Sequence, residues 1–420
     1  MKQACFALLQ LRHQTMRFFL AGLLLAATGQ ALAAIPSIAA GYYHSIALKA
    51  DGSVWAWGSN ITGQIGDGTA VEKSSPVQVL PPGSGVIKVA AGRLYSLALK
   101  ADGSVWAWGQ NAWGQIGDGT NTNRFTPVQV LPPGSGVINI VAGRDFILAI
   151  KADGSIWAWG FNDVRQLGET LASESSANRY SIRKPFQMME PGSGIVALAT
   201  GMRNVIALKA DGSVWGWGDN QWGQLGDGTE IRRWPPVQVM APDSGVIALA
   251  AGNFFSLALK ADGSVWSWGN NYYGQLGNGT LEIRHYLPGR ILSAGSGVVG
   301  LAAGLQHSVA LKSDGSVWAW GLNNAGQLGD GSEWTWEVAK LDDNAKVPKR
   351  LSPVQVLAPG SGVTTLSAAN DQSLALKSDG SVLEWGNPSS TKRWVGMTAP
   401  GKLVPTPMPA FSLSASPKEK

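Results

Sequence analysis

One segment recurs seven times along the 420-residue chain, and this repeat limits the folds that the chain can adopt. Each copy places an Asp-Gly pair between two short apolar stretches, as in residues 96–109, which read SLALKADGSVWAWG. The pairs begin at Asp51, Asp102, Asp153, Asp211, Asp262, Asp314 and Asp379, so successive copies are 51 to 65 residues apart. Repeats of this length indicate units that pack on one another rather than independent domains.

Within one unit the sequence predicts four short strands, labelled A to D in chain order. In the second unit they cover residues 87–91, 96–100, 104–108 and 128–130. An Asp-Gly pair between alternating apolar runs is a strong hairpin signal, because Gly adopts positive φ without steric cost. Four-stranded units at this spacing are typical of propeller blades. We predict an all-β, seven-bladed β-propeller of four-stranded antiparallel blades, with an open β-solenoid as the alternative.

The first 33 residues differ from the repeats. Residues 18–27, FFLAGLLLAA, are apolar, Arg17 precedes them, and Ala31-Leu32-Ala33 follows. The run is too short to span a bilayer and has the form of a secretory signal peptide. We predict a signal peptide over residues 1–33, cleaved after Ala33, with Met16 as an alternative start. A buried helix of the mature fold is the other interpretation.

Cleavage would change the charge of the chain. It removes Cys5, the only cysteine, and three of the 33 basic residues but none of the 28 acidic ones. The mature chain is then nearly neutral and lacks the clustered positive charge that nucleic-acid binding requires. No later stretch is long and apolar enough to span a membrane. The sequence therefore predicts a secreted or periplasmic protein, with a propeller over residues 34–411 and a polar tail over residues 412–420.

Residues that could perform catalysis are few. Beyond residue 33 the chain has three histidines, His44, His285 and His307, and His44 and His307 occupy equivalent repeat positions, which favours a structural role. No His, Asp or Glu cluster has the spacing of metal ligands. The repeated Gly-Asp-Gly-Thr lacks the alternating acidic ligands of a calcium loop and indicates a turn. We predict no catalytic residue, no metal, no cofactor and no enzymatic activity.

The strand order decides which loops share an end of the propeller. In antiparallel blades the A–B and C–D loops emerge at one end, and the B–C hairpins and D–A connectors emerge at the other. The copies differ most in the A–B and C–D loops, where aromatic residues concentrate. Exposed loop aromatics are typical of protein-binding patches. The candidate partner-binding residues in these loops are Tyr42, Tyr43, Trp113, Trp222, Phe254, Tyr272 and Tyr273.

Other aromatic residues have different expected roles. Trp334 and Trp336, in a long C–D connection of the sixth unit, are further binding candidates, with a lid over their own blade as the alternative. Tyr95, Phe146 and Phe255 stand where His44 and His307 stand in other copies, so we expect them to pack internally. The paired tryptophans of strand C, two residues apart and therefore on one side of the strand, are expected to pack between blades. Several of the loop candidates could also pack inward on these tryptophans.

The repeat resembles a known family. The pattern AGxxHSxALKxDGxVWxWGxNxxGQLG, matched nearly throughout by residues 40–66 and 303–329, is similar to the regulator of chromosome condensation repeat. The resemblance implies a seven-bladed propeller, a fold that hosts several functions. Family members include a nuclear guanine-nucleotide exchange factor, a plant ultraviolet-B photoreceptor and secreted bacterial β-lactamase inhibitory proteins. An export signal conflicts with the nuclear role, and the Gly-Trp-Arg-His-Thr repeat of the photoreceptor is absent.

The secreted inhibitors are the nearest functional analogue, since the resemblance places their aromatic contacts in the same two sets of loops. The sequence therefore favours an exported, non-catalytic, monomeric bacterial protein that binds a protein partner through one face, as an enzyme inhibitor or a scaffold. A surface or glycan-binding adhesin is the alternative, and a regulator similar to an exchange factor is a weaker one. Carboxylates beside the exposed rings would favour a glycan, whereas a contiguous aromatic patch would favour a protein.

Overall fold

The computed structural model describes residues 34–168, 180–280, 282–332, 348–387 and 402–414. In these residues the chain forms 28 strands and no helix. The strands make seven four-stranded sheets, each built from four consecutive strands in chain order. All neighbouring strands are antiparallel, as in the pairs of the second blade. The predicted seven-bladed propeller is therefore confirmed, while the predicted signal peptide, Trp334 and Trp336 lie outside the described residues.

The strands have the following bounds, with each blade given in the order A to D. Blade 1 contains β1 (Ser37–Ala40), β2 (His44–Leu48), β3 (Val54–Gly58) and β4 (Lys73–Leu80). Blade 2 contains β5 (Val86–Ala91), β6 (Tyr95–Lys100), β7 (Val105–Gly109) and β8 (Arg124–Leu131). Blade 3 contains β9 (Val137–Ala142), β10 (Phe146–Lys151), β11 (Ile156–Phe161) and β12 (Ser181–Met189). Blade 4 contains β13 (Ile195–Thr200), β14 (Asn204–Lys209), β15 (Val214–Gly218) and β16 (Arg233–Met240).

The remaining blades follow the same order. Blade 5 contains β17 (Val246–Ala251), β18 (Phe255–Lys260), β19 (Val265–Asn270) and β20 (Arg284–Leu292). Blade 6 contains β21 (Val298–Ala303), β22 (His307–Lys312), β23 (Val317–Leu322) and β24 (Lys349–Leu357). Blade 7 contains β25 (Val363–Ala369), β26 (Gln372–Lys377), β27 (Ser381–Gly386) and β28 (Lys402–Ser412).

The B–C hairpins form as the Asp-Gly pairs predict. In blade 2, Gly103 has a φ of +83°, and the Asp102 carboxylate accepts a hydrogen bond of 2.8 Å from the Ser104 amide. The D–A connectors lie beside these hairpins, since the Gly83 amide donates to the Asp51 carbonyl at 3.0 Å and Ser84 Oγ donates to the Gly52 carbonyl at 2.8 Å. Hairpins and connectors therefore share one end of the propeller, as predicted.

The second tryptophan of each strand C is buried at the seam between blades. Trp108 packs against Ile46, Leu48 and Ile65 of blade 1 and has no exposed surface. Its indole Nε1 donates to the Gln64 carbonyl at 3.0 Å, and that carbonyl also accepts from Ser96 Oγ at 2.8 Å. The same Trp-to-Gln contact recurs at four further seams. The expected packing between blades is thus accompanied by a repeated hydrogen bond.

The Gly-Gln-Leu-Gly segment fits closely beneath this tryptophan. Gly66 has a φ of +87°, and a Cβ atom at this position would lie 2.6 Å from Trp108 Nε1. Only glycine satisfies both the left-handed backbone and this close approach. The segment therefore recurs because it positions the Gln64 carbonyl against the next blade.

Ring closure brings the last blade against the first. The Ala50 amide of blade 1 donates to the Leu413 carbonyl at 3.1 Å. Phe411 contacts Trp55 and Trp57 edge-on, each with ring centroids 5.7 Å apart. Strand β28 runs to Ser412, and Leu413 is fully buried. These contacts close the ring between blades 7 and 1.

Candidate binding face

The A–B loops form a rim around the central channel. The first residue after the glycine bonds to the neighbouring loop: the Arg93 amide donates to the Arg144 carbonyl at 3.0 Å and the Leu305 amide to the Asn370 carbonyl at 2.9 Å. C–D loops reach the same end, since Thr62 Oγ1 donates to the Leu94 carbonyl at 3.3 Å. The two sets of variable loops therefore share one end of the propeller, as the strand order predicts. We call this end the loop face.

The residue that begins strand B is buried at the seam in every blade. These residues are His44, Tyr95, Phe146, Asn204, Phe255, His307 and Gln372. The Tyr95 hydroxyl lies 2.8 Å from the Gly143 carbonyl oxygen, and burial raises the pKa of this hydroxyl. The expected packing of Tyr95, Phe146 and Phe255 is confirmed.

His44 and His307 occupy this buried position as neutral imidazoles. His44 Nε2 lies 2.8 Å from Ser96 Oγ, which donates its single proton to the Gln64 carbonyl. Ser96 Oγ must therefore accept, so Nε2 of His44 carries the imidazole proton. Burial lowers the pKa of both His44 and His307 to about 3. This arrangement is structural and supplies neither a general base nor a metal ligand to the loop face.

In blades 1, 2, 4 and 6 the C–D loop is held by an asparagine and an aspartate of the same repeat. In blade 1, Asn60 Nδ2 donates to Asp67 Oδ1 at 3.0 Å, and Asn60 Oδ1 accepts from the Ile65 amide at 3.0 Å. Although burial opposes it, hydrogen bonds from Lys73, Thr69 and Asn60 lower the pKa of Asp67 to about 2. The Gly-Asp-Gly-Thr segment therefore forms a turn, as predicted. These hydrogen-bonded loops carry the residue that precedes the first glycine of the Gly-Gln segment, such as Trp113 and Trp222.

Trp113 belongs to a small aromatic cluster between blades 2 and 3. Its ring lies 4.7 Å from the Phe161 ring, measured between centroids, and Phe161 lies 6.5 Å from Tyr180. The Arg203 guanidinium approaches the Phe161 ring at 5.8 Å and pairs with Asp163 at 2.9 Å. Trp113 nevertheless remains 40% exposed. Trp113, a predicted binding residue, thus lies on the loop face beside Phe161 and Tyr180, which the sequence analysis did not identify as candidates.

Trp222 and Phe254 come together between blades 4 and 5. Their ring centroids are 6.1 Å apart, and the Arg284 guanidinium lies 4.5 Å over the Trp222 ring. Arg284 also pairs with Glu230, whose carboxylate accepts a 2.7 Å hydrogen bond from the Tyr286 hydroxyl. These contacts lower the pKa of the exposed Glu230 carboxyl, the Tyr286 hydrogen bond having the largest effect. Trp222 is therefore held in place by a cation rather than folded into the core.

Two tyrosine pairs complete the predicted set. Tyr272 and Tyr273 are 4.8 Å apart and meet edge-on, and Tyr272 is 55% exposed. Tyr42 and Tyr43 are 6.4 Å apart at the channel rim, where burial raises the pKa of the Tyr42 hydroxyl. The loop face thus carries four aromatic clusters in different sectors. The ring contacts among the described residues do not join them into one continuous patch.

Sequence reasoning also missed exposed apolar residues at the opposite end. The residue after the first valine or isoleucine of strand A is β-branched and about half exposed in five blades: Ile87, Ile138, Val196, Ile247 and Val299. In blade 2, the strand pairing shifts between Val86 and Lys88. Ile87 is displaced from the ladder there, and a local bulge of this kind is not readable from alternation alone.

The described residues contain no cluster of three or more His, Cys, Asp or Glu side chains able to hold a metal ion. Among the same residues, no helix has the length and apolar character needed to cross a membrane. What the loop face offers chemically is aromatic surface with flanking arginines. Such surfaces are suited to recognition of another molecule.

Comparisons with known proteins agree with this architecture. Residues 16–292 match the RCC1-like domain, and residues 298–327 and 314–376 match the regulator of chromosome condensation (RCC1) repeat. The ultraviolet-B receptor UVR8 of Arabidopsis thaliana is 30% identical over 365 residues, covering 86% of this chain and 78% of UVR8. The E3 ubiquitin-protein ligase HERC2 of Homo sapiens is 30% identical over 298 residues, which cover 68% of this chain but 6% of HERC2.

A solved structure shows the same fold. The structure of Prp20p from Saccharomyces cerevisiae, described together with its binding to Gsp1p and histones, has a TM-score of 0.69 at 24% identity and covers 85% of each chain. UVR8 is thus named as a receptor and Prp20p by the proteins it binds, whereas HERC2 is named as an enzyme. The extent of the match to the RCC1-like domain and to UVR8 establishes that this chain belongs to the RCC1-like propeller family.

Proposed function

We propose that the protein is an exported, non-catalytic propeller that binds a protein partner through the loop face. The observation that carries this proposal is the set of aromatic side chains held on rigid loops there, with Trp113 40% and Tyr272 55% exposed. Aromatic and arginine side chains dominate the energy of protein interfaces when a partner removes water from them. Prp20p, a protein of the same fold whose structure is described with its binding to Gsp1p and histones, supports the same role.

The aromatic clusters do not form the contiguous patch that would favour a protein, but the contacts around two of the rings argue against a glycan. Sugars stack on the open face of an aromatic ring, but Arg284 covers a face of Trp222, and Phe161 packs on Trp113. The carboxylates nearest these rings, Glu230 and Asp163, are already paired with Arg284 and Arg203. This pairing leaves fewer of their acceptor sites for sugar hydroxyls. Glycan binding is therefore the outcome that the test below has to exclude.

The test uses two variants with substitutions at opposite ends of the propeller. One replaces Trp113, Trp222, Tyr272 and Tyr273 with Ala, and the control replaces the exposed Ile87, Ile138, Val196 and Ile247 with Ala. Immobilised parent protein and both variants are exposed to the native extracellular fraction, before and after enzymatic removal of glycans. We expect the parent and the control to retain the same proteins, and the loop variant to lose them. Equal recovery by both variants, or loss after glycan removal alone, contradicts the proposal.

Export is proposed on the apolar run at residues 18–27. Ala34, which follows the proposed cleavage site, is buried, and its amide donates to the Ala50 carbonyl at 3.1 Å, so cleavage after Ala33 would remove none of the described strands. Mass spectrometry of the protein from the extracellular or periplasmic fraction should give an N-terminus at Ala34. Full-length protein found only inside the cell would contradict export.

The finer role, inhibitor or scaffold, is proposed from the resemblance of the loop aromatics to those of the secreted inhibitors. A direct assay separates the two. If the retained partner is an enzyme, its activity is measured with increasing amounts of the parent protein and of the loop variant. Inhibition by the parent alone supports an inhibitor, whereas binding without inhibition supports a scaffold.

A further inference from the structure

A cavity of about 310 Å³ extends along the central channel from the A–B loops of the loop face to Lys88, near the start of strand A. Its wall consists mainly of small and aliphatic residues of strand A, such as Ala90, Val141 and Leu198, and the A–B loops form its rim. The only charged residues among the described lining are Lys88 and Arg144, and both are cations. The cavity wall therefore combines aliphatic side chains with polar groups, carries two cations and has no carboxylate among its described lining residues.

Lys88 lacks an anionic partner in this wall. Its ammonium contacts the neutral Asn139 side-chain oxygen, and no salt bridge to Lys88 is found among the described residues. Burial lowers the pKa of the Lys88 ammonium. Lys88 is half-buried, and removing an ammonium even partly from water is unfavourable unless an opposite charge compensates it. An anion bound beside Lys88 would supply that missing compensation.

The fold itself does not require a lysine at this position. The strand pairing identifies the equivalent residue of each blade, because Lys88 lies opposite Leu99 just as Ala197 lies opposite Leu208. The residues at this position in the other six blades are all uncharged: Ser37, Asn139, Ala197, Ala248, Gly300 and Thr365. A cation at one of seven equivalent positions, placed at a stability cost, points to binding rather than to packing.

The rim adds a second cation and further polar groups. Arg144 lines the cavity and pairs with the buried Asp145 at 3.2 Å, so its charge is partly balanced. Asn253 also lines the cavity, and its side-chain oxygen has no hydrogen-bond partner among the described residues. The Tyr42 ring completes this part of the rim. An anion that enters from the loop face thus passes Arg144 before it reaches Lys88.

The balance of charge and apolar surface indicates the kind of anion. A phosphate dianion needs many donors, but this wall offers one unpaired ammonium and one guanidinium already engaged with Asp145. A carboxylate carries one charge and needs fewer donors, while an aliphatic chain attached to it would contact Ala90, Val141 and Leu198. We propose that this cavity in the central channel binds an aliphatic carboxylate whose charged group pairs with Lys88. This proposal does not depend on the proposed function.

The carboxylate could be that of a free organic acid or of a glutamate side chain inserted by a protein partner. Calorimetric titration at constant ionic strength with butyrate, with N-acetylglutamic acid α-amide and with inorganic phosphate distinguishes these sources. We expect the first or second probe to bind and phosphate to bind at least tenfold more weakly. Binding of butyrate supports a free acid, and binding of the glutamate probe alone supports a partner side chain.

Lys88→Met is the decisive variant, and Lys184→Met, which removes an exposed lysine on β12, is its control. We expect Lys88→Met to weaken binding at least tenfold while it unfolds at the same or a higher urea concentration, because six blades place uncharged residues here. Lys184→Met should bind like the parent. The proposal is overturned if no carboxylate binds the parent at millimolar concentration, if Lys88→Met binds as well as the parent, or if phosphate is preferred.

Discussion

At the residue scale, the two seam histidines make the stability of the propeller sensitive to acid. His44 and His307 are buried, and each uses its Nε2 proton in a hydrogen bond to a serine of the next blade. Their Nδ1 atoms have no hydrogen-bond partner among the described residues. A proton added at Nδ1 would therefore bring a buried charge without an acceptor. Burial alone accounts for the lowered pKa of both imidazoles.

The sign of the pH effect follows from these pKa values. In the folded protein the imidazole pKa is about 3, against 6.5 for the unperturbed group, so between these values the unfolded chain binds more protons. The stabilisation is complete above pH 6.5 and is lost as the pH falls towards 3. Between pH 7 and pH 5 we expect each histidine to reduce the free energy of unfolding by about 2 kcal/mol.

The measurement is urea unfolding of the parent and of the double variant His44→Phe/His307→Phe at pH 7 and pH 5. Phenylalanine occupies the equivalent buried position as Phe146 and Phe255, so the substitution fits the seam. The double variant should lose much less stability between the two pH values than the parent does. Because Ser96 and Ser373 lose a hydrogen bond in the variant, the pH dependence is compared and not the absolute stability. Equal pH dependence in both proteins would refute a titrating role for these histidines.

At the element scale, six of the seven B–C hairpins carry a lysine over the first tryptophan of strand C. In blade 2, Lys100 Nζ lies 4.6 Å from the centre of the Trp106 ring, and the other five contacts span 3.8 to 4.6 Å. Blade 7 has Leu383 at the tryptophan position, and there Lys377 pairs with Asp379 at 3.7 Å instead. The seventh blade, which lacks this lysine–tryptophan contact, therefore serves as a control for how much the contact contributes to stability.

Lys100→Met keeps the aliphatic stem and removes only the charge. We expect it to lower the free energy of unfolding by about 0.5 to 1 kcal/mol, the usual value of an exposed cation–π contact. Lys377→Met should change it by less, because an exposed ion pair contributes little. Urea unfolding of the two variants at neutral pH compares them directly. A similar loss of unfolding free energy in both variants would show that the contact of the lysine with the tryptophan ring adds no more stability than an exposed ion pair does.

The sequence predicts the strands and hairpins correctly, but it does not predict which side chains of different blades contact one another. Asp102-Gly103 and its equivalents predict the hairpins because the turn chemistry is local. The contact of Phe161 with Trp113 crosses between blades and depends on how the C–D loop meets the next sheet. The place of Lys88 in the channel depends on the shift in strand pairing that displaces Ile87. Both faces of a blade are buried, so alternation of apolar and polar residues carries little information about such contacts.

At the scale of the whole molecule, the seam between blades 7 and 1 is built differently from five of the other six. At those five, a glutamine carbonyl of the Gly-Gln segment accepts the tryptophan Nε1, but the sequence of blade 7 lacks that segment. Glu384 takes its place: Oε1 accepts from Trp57 Nε1 at 3.2 Å and from Gln372 Nε2 at 2.8 Å. Lys402 balances the buried carboxylate at 2.7 Å. One side chain thus replaces a backbone acceptor at the point where the ring closes.

Two substitutions of Glu384 separate hydrogen bonding from charge. Glu384→Ala leaves the indole of Trp57 and the amide of Gln372 without this acceptor, so we expect a loss of about 2 to 3 kcal/mol in the free energy of unfolding. Glu384→Gln keeps an acceptor oxygen in the same place and should cost about 1 kcal/mol or less, because it removes the desolvation of a charge together with its pairing to Lys402.

The location of the effect tests whether the ring opens at this seam. Hydrogen exchange followed by mass spectrometry should show faster exchange in Glu384→Ala across the strands that meet there, β1, β2, β26 and β27, while blades 3 to 5 keep the exchange rates of the parent. Such a pattern is expected because local opening costs less than global unfolding and starts where the contacts are fewest. Faster exchange of equal size in all seven blades would mean that the propeller unfolds as one unit and that Glu384 does not control a local opening.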